Sequence, residues 1–343
     1  MEAHNMIPKK VPLLKTKFRR IKTKIPVPQS IPLFKEMQKY EVSDMYTHEL
    51  PIIWDRTDGF QIYDKWGNKW IDFTSGIFVA NVGHCAKEVR TAIEKKLDAG
   101  LLHSYIFPND SRIQLTKKLC EITQMDKVLL TVTGSEANEA AIQTMHRNRK
   151  GKILSLRGAF YGSTTACRAL AKNTIDESMN PDTFNPQDIA GVFLQVFRGK
   201  DAKCMPYEWI RAWYKWAQKN NIPIGFDEMQ SGFARTGKWF GYQHYDVQPD
   251  FITIGKAFGG GLPISALVGK KKVLQYSYDL WSTHTANPVC CAAAVAVLQV
   301  IEKKNLVEKS AKRNNWVGQL LRKTFPHNEI YGRGMMWAIY TGD

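Results

Sequence analysis

The sequence predicts an α/β protein built on a mostly parallel sheet with helices on both faces. Two observations carry this reading. From about residue 110 onward, short apolar runs of strand length alternate with longer segments of helical periodicity, the order that parallel strands and crossover helices require. Before that point the pattern differs, with a basic, proline-containing arm to about residue 35 and then a hairpin signature. At 343 residues and 44% hydrophobic, the chain is too long for one small module and apolar enough to bury a sizeable core.

Taken in order, residues 60–73 (FQIYDKWGNKWIDF) predict a β-hairpin, because aromatic and β-branched residues alternate around a Trp66-Gly67-Asn68 turn. Residues 87–99 predict a helix with Val89, Ala92, Ile93 and Leu97 on one face. Residues 127–133 (KVLLTVT) read as a buried strand, broken at Gly134, with a helix opening at Ser135 and running to about Arg149. Residues 153–156, 191–194, 222–226, 251–254 and 266–269 are further short apolar strands, and 207–220 is a tryptophan-rich helix. Pro288 stands where a helix begins that runs to about Lys304. The domain boundaries expected are an arm and hairpin over 1–74, a large domain over 75–308 and a smaller C-terminal domain beginning at 309.

The formal net charge is +16, but much of the excess lies in Lys9, Lys10, Lys15, Lys17, Arg19, Arg20, Lys22 and Lys24. Elsewhere opposite charges are interspersed, as on a solvated surface, and no nucleic-acid-reading motif accompanies them. No nucleic-acid partner is expected. The six cysteines (Cys85, Cys120, Cys167, Cys204, Cys290, Cys291) form no CxxC pair and no His cluster joins them, which argues against zinc or a disulfide framework and for a reducing, cytoplasmic setting. The longest apolar run, 289–298, is too short to span a bilayer. The N-terminus lacks the apolar core of a secretory signal, and Pro8, Pro12, Pro26, Pro28 and Pro32 would interrupt a presequence helix. It reads as an extended surface arm.

Four motifs carry chemistry. TVTGSEANEAAIQ (131–143) sets a glycine and a small hydroxyl residue between strand and helix, an arrangement that aims backbone N–H groups and a helix dipole at a phosphate. Its plainer reading is a turn capped by Ser135, without a full capping box, because Asn138 stands three residues on. GFDEMQSGFARTG (225–237) puts Asp227 at a strand end, on the sheet edge where α/β proteins bind ligands; it could equally cap the next turn. Glu228 beside it points elsewhere. DFITIGKAFGGGLPISALVG (250–269) puts Lys256 after an apolar strand and before three glycines. Lost hydration there would free its amine as a nucleophile, whereas an ordinary strand-end lysine keeps its head in water. WSTHTANPVCCAAA (281–294) precedes a proline-started helix with small hydroxyl residues that suit an anion or a simple cap.

The order and spacing of these motifs resemble the class III aminotransferases, the group of ornithine, acetylornithine and 4-aminobutyrate aminotransferases. The resemblance runs from about residue 50 to the end, through IYDKWGNKWIDFTSGIFVANVGH, TGSEANEAA, AFYGST, FDEMQSGFARTG, ITIGKAFGGG and STHTANP. It implies a fold-type I large domain with a mostly parallel seven-stranded sheet, a smaller α+β domain, and pyridoxal 5'-phosphate as cofactor. By the same resemblance Lys256 carries the cofactor as a Schiff base and Asp227 pairs with its pyridine nitrogen. Gly134 and Ser135 match the phosphate cup, Phe160 the aromatic on the ring, with Tyr161 following, and Gln230 the residue near the phenolic oxygen. Thr283 matches a threonine that reaches the neighbouring subunit's phosphate, so a homodimer with shared sites is implied. The implied reaction moves an amino group from an amino acid or amine to a 2-oxo acid. An aminomutase or racemase would share Lys256 and Asp227, and a non-catalytic protein on this fold is a third reading.

Departures from the family pattern bear on the donor. Gln195-Val196-Phe197-Arg198-Gly199 stands where many members read Glu-Pro-x-x-Gly, whose glutamate helps manage a substrate-binding arginine. Thr285-Ala286 replaces Gly-Gly before Asn-Pro, and Ser163 replaces an arginine. Relatives usually continue beyond a segment like YGRGMMWAIY and carry a carboxylate-binding arginine there, so an incomplete small domain and slow turnover are expected. Phe78, Tyr105 and Phe107 lie near positions that line the family's pocket.

Overall fold

The computed structural model describes residues 6–42, 51–274 and 282–342; the start of the arm and Trp281 at the head of the fourth motif lie outside these. The chain falls into two compact units, Met1–Ile77 with Gly83–Cys85, and Phe78–Val82 with Ala86–Asp343.

In the first unit the hairpin forms where it is expected, with Gln61–Tyr63 antiparallel to Lys69–Ile71. The turn is fixed by Asp64, whose Oδ1 accepts from the backbone N–H groups of Trp66 and Asn68. The arm is not simply extended. It doubles back on itself through Leu14–Lys15 and Arg20–Ile21 and through the Lys9–Ile25 bridge, and then joins the hairpin at Arg20 opposite Lys69. Asn68 makes this union possible: its side chain accepts from Lys22 N and donates to Thr23 Oγ1. A helix, Ile31–Tyr40, follows where no helix is expected from the proline-rich arm; Pro32 falls in its first turn, where a missing N–H costs nothing.

The second unit holds the seven-stranded sheet. Its strands are β1 (Lys127–Thr131), β2 (Lys152–Leu156), β3 (Thr174–Ile175), β4 (Ile189–Leu194), β5 (Ile224–Asp227), β6 (Phe251–Ile254) and β7 (Ser265–Gly269). Their spatial order is β1-β7-β6-β5-β4-β2-β3. All neighbours are parallel except those of β7, which runs antiparallel to both β6 and β1. Strands β4 to β7 are buried along their whole length, as a sheet covered on both faces must be. Strand β3, only two residues long, is not marked by any apolar run of strand length.

The longer helices of this unit are α1 (Lys87–Asp98), α2 (Asp110–Thr123), α3 (Gly134–Asn148), α4 (Tyr207–Lys219), α5 (Pro288–Lys303) and α6 (Leu306–Thr324). The apolar run 289–298 belongs to α5, most of whose side chains are buried, so it is a core helix. Trp213 of α4 is fully buried and meets Trp209 and Trp216 edge-on, a geometry aromatic pairs favour. Helices α2 and α6 are not anticipated from periodicity. The buried stripe of α2 is Ser111, Leu115, Leu119 and Thr123, half of it polar, which hides the helical period.

One local expectation is corrected. The cap of α3 is Thr133, two residues earlier than Ser135, and the capping box is complete. Thr133 Oγ1 accepts from Glu136 N, while Glu136 Oε2 accepts from Thr133 N and Val132 N. The strand stops at Thr131, two residues short of its expected end, and that shift moves the box into register.

Candidate active site

The cap shift matters because it frees the residues after it. With Thr133 as cap, Gly134 and Ser135 occupy the first two helical positions, whose N–H groups have no intrahelical acceptor. Ser135 Oγ accepts from Ser163 N at 3.2 Å. Gly162 closes the other side: its φ is +131°, and a Cβ there would lie 2.5 Å from Ser135 Oγ. The result is a small cradle of backbone donors at the positive end of a 15-residue helix, suited to a phosphate. Met229 packs beneath it, 3.1 Å from where a Cβ on Gly134 would stand and 2.7 Å from one on Gly255. The glycine before Lys256 and the glycine of the cradle thus share one methionine.

Asp227 ends β5 and pairs in register with Thr253 of β6, three residues before Lys256. Its carboxylate is buried, at 3% exposure, and every polar contact is a neutral donor. Met229 N reaches Oδ1 at 2.9 Å, and the side-chain amides of Asn138 and Gln195 reach Oδ2 at 3.0 and 3.2 Å. Burial pushes its pKa up, against the pull of Met229 N–H, the nearby Lys256 and the two amides. A carboxylate so placed fits a cationic ring nitrogen, which would supply the directly bonded charge that its neutral donors do not. Its plainer role, turn-capping through Met229 N, is present as well.

Lys256 follows β6 in a short 3-10 turn, Lys256–Gly259, with φ +50°. Its head is not simply in water. Burial pushes its pKa down; Asp227 opposes this and Arg235 adds to it. The amine is therefore biased toward its neutral, nucleophilic form.

Phe160 is 62% exposed, an apolar ring left open where a planar group could lie against it. Its carbonyl accepts from Gln195 Nε2 at 2.7 Å. The amide of Gln195 is thus engaged with Phe160 and Asp227. Tyr161 is buried, and its hydroxyl donates to Phe193 O at 2.8 Å and accepts from Leu156 N at 3.1 Å. Its side chain is committed to the sheet, while its carbonyl accepts from Asn138 at 2.6 Å. Gln230 packs over Gly199, where a Cβ would strike its amide, and its Oε1 is buried without a partner. Glu228 points away from Asp227, as expected. Its carboxylate accepts from Gly241 N, Tyr242 N and Ser231 Oγ, and burial pushes it up to about 7. Thr283 lies exposed in the turn before α5. Phe78 lies against the Arg235 guanidinium, and Tyr105 and Phe107 are exposed.

The structure thus brings together the cradle at Gly134 and Ser135, Asp227, Lys256 and, through Gln195, Phe160. Asn138 and Gln195, which hold Asp227, have no such role in the sequence reading. Helical spacing from the cradle gave the only signal for Asn138: it lies one turn into α3, on the buried face.

Residues 42–189 and 177–343 match the aminotransferase class-III family. An acetylornithine aminotransferase of Archaeoglobus fulgidus is 30% identical over 330 residues, spanning 90% of this chain and 87% of the relative. One from Methanocaldococcus jannaschii is 32% identical over 84% of this chain and 80% of its own length. Among solved structures, an ornithine aminotransferase of Toxoplasma gondii superposes with a TM-score of 0.83 at 23% identity, covering 90% of this chain and 82% of its own, a likeness of fold. The chain belongs to the class III aminotransferases. It is a pyridoxal-phosphate-dependent enzyme of transamination on the fold-type I architecture. No helix among the described residues is long and apolar enough to cross a membrane.

Proposed function

We propose that this chain moves an amino group from an amino acid or amine to a 2-oxo acid with Lys256 and Asp227 at its centre. The observation that carries the assignment is the pairing of a buried carboxylate held only by neutral donors with a lysine biased toward its free amine, at the ends of adjacent strands. When bound, pyridoxal phosphate supplies an electron sink for negative charge at the substrate carbon. Lys256 would hold it, and the Lys256 amine, biased toward its neutral form, would move the proton at the substrate carbon that bears the transferred amine. Asp227 would keep the ring nitrogen protonated, with Asn138 and Gln195 fixing the carboxylate's orientation. Gly134 and Ser135 would hold the phosphate, Phe160 would cover the ring, Gln230 would serve the phenolic oxygen, and Tyr161 would contribute through its carbonyl.

The relatives' names favour a donor of the ornithine or acetylornithine kind. A homodimer is proposed on the exposure of Thr283 and of the apolar residues Leu102, Tyr105, Ile106 and Phe107. This segment is tied to the Thr283 turn by the Asn287 amide, which donates to Leu102 O at 2.8 Å. A face of this kind suits a two-fold contact. A cytoplasmic location, and a smaller C-terminal domain beginning near residue 309, complete the reading.

Absorbance tests the assignment. Purified protein mixed with pyridoxal phosphate should gain a visible band that Lys256→Ala abolishes. Adding ornithine should bleach that band to the pyridoxamine form and release a carbonyl product. A protein that stays colourless, or a band that survives in Lys256→Ala, overturns it. Light scattering of the loaded protein tests the dimer.

A further inference from the structure

Arg235 is a buried cation with no acidic partner among the described residues. Its side chain keeps only 8% exposure, and burial pulls its pKa down to about 10, which still leaves it charged at neutral pH. A buried guanidinium ordinarily requires a carboxylate. Here Nη2 donates to Phe78 O at 2.9 Å and to the Asn81 side-chain oxygen. Among the described residues Nε is hidden without a partner, and Nη1 makes no hydrogen bond. The plane lies near the Phe78 ring, 5.0 Å from its centre. Asn81 is itself fixed, because its amide donates to Phe233 O at 2.9 Å.

The same loop is tied to the lysine turn. The Phe233 ring stacks on Phe258, 5.4 Å away and nearly parallel, and Phe258 is the third residue of the Lys256–Gly259 turn. Phe233 and Ala234 reach Arg235 through two successive left-handed conformations, φ +58° and +70°, a costly path for non-glycine residues. The backbone beyond is locked: Arg235 O accepts from Met335 N and Ser310 Oγ. A positive fork is thus tied to the lysine turn through Phe233 and Phe258, and its charge is one of the influences on Lys256.

We propose that Arg235 binds a carboxylate of the substrate through Nη1. This selects carboxylate-bearing donors and acceptors over simple amines, and it rests on the proposed function above. The arriving anion supplies the charge that the guanidinium lacks, and paired hydrogen bonds to a charged group give it strength.

Three proteins test this: the unsubstituted chain, Arg235→Gln and Arg235→Lys. Succinate binding is followed by calorimetry, which does not depend on the cofactor band. Half-reactions are followed with ornithine and with 1,4-diaminobutane, which lacks the carboxylate. Arg235→Gln should weaken succinate about 30-fold or more, the range for a lost charged hydrogen bond, and should impair ornithine at least about 10-fold more than diaminobutane. Arg235→Lys, which keeps the charge but not the fork, should recover part of both losses. Equal losses with the two donors, or succinate binding unchanged in Arg235→Gln, overturn the proposal and leave Arg235 as a loop tie. Should Arg235→Gln fail to fold, Arg235→Lys alone decides: unaltered succinate affinity and unaltered donor ratio overturn the proposal, and a loss in both supports it. Absence of a cofactor band in all three proteins overturns the lysine assignment instead, while calorimetry still decides for Arg235.

Discussion

Asn138 and Gln195 donate to the same oxygen of Asp227, at 3.0 and 3.2 Å, from elements 57 residues apart in the chain. Both are neutral, so the buried carboxylate is solvated by amides without being neutralised. Gln195→Leu removes one donor and leaves Phe160 O without its partner. A hydrogen bond to a charged group is worth about 1.5–3 kcal/mol, so the half-reaction should slow about 10- to 100-fold while the cofactor still loads. Gln195 also helps hold the Asp227 pKa down. Its loss should therefore move the acid limb of the pH–rate profile to higher pH, read from half-reaction rates across a pH series.

The cradle can be closed from one side. Gly162→Ala puts a methyl 2.5 Å from Ser135 Oγ at a φ of +131°, a strain of about 1–3 kcal/mol. Affinity for pyridoxal phosphate should fall about 10-fold or more. Gly134→Ala meets the flexible Met229 side chain, 3.1 Å from its sulfur, and should cost less. Titrating each protein with cofactor by absorbance checks the order.

Tyr161→Phe separates support from contact. The lost hydroxyl leaves Phe193 O and Leu156 N unpartnered inside the sheet, costing about 1–3 kcal/mol of stability. The cofactor band should keep its position, because the site receives only the residue's carbonyl. Denaturant titration and the absorbance maximum give the two readings.

Glu228 makes stability depend on pH. Its folded pKa, near 7, stands above its ordinary value of 4.5, so the folded protein binds this proton more tightly than the unfolded chain. Its contribution is fully present below about pH 4.5 and is lost as pH rises through about 7. Glu228→Gln should flatten that part of the stability–pH curve, at some cost in overall stability because one amide oxygen must serve where two carboxylate oxygens served. Urea midpoints from pH 4.5 to 8 provide the check.

Much of this site is legible in the residues themselves. Asp227 and Lys256 sit at strand ends, and strand ends are visible as apolar runs that stop. Gly134 and Ser135 announce a helix start, although reading β1 two residues too long places the cap on the wrong hydroxyl. Asn138, Gln195 and Arg235 stay hidden for a different reason. Asn138 meets a partner 89 residues away and Arg235 meets Asn81 across 154, so only the sheet order gives them neighbours. The arm hides in the same way: Leu14–Lys15 and Arg20–Ile21 are too short to show a period, and Arg20 finds its partner in the hairpin 49 positions on.

Strand β7 carries a consequence for assembly. It is the sole antiparallel member of the sheet and the strand that lies between β1, which leads into the cradle, and β6, which leads into Lys256. Ser265 pairs with Thr131 across a span of 134 residues. A growing chain can therefore pair β2 through β6 while β1 has no strand to pair with, and the sheet beneath the cofactor site closes only once β7 slots between them. Closing so long a loop is slow, which makes this strand the last beam of the frame: cofactor capture by a refolding chain should lag behind the burial of its tryptophans.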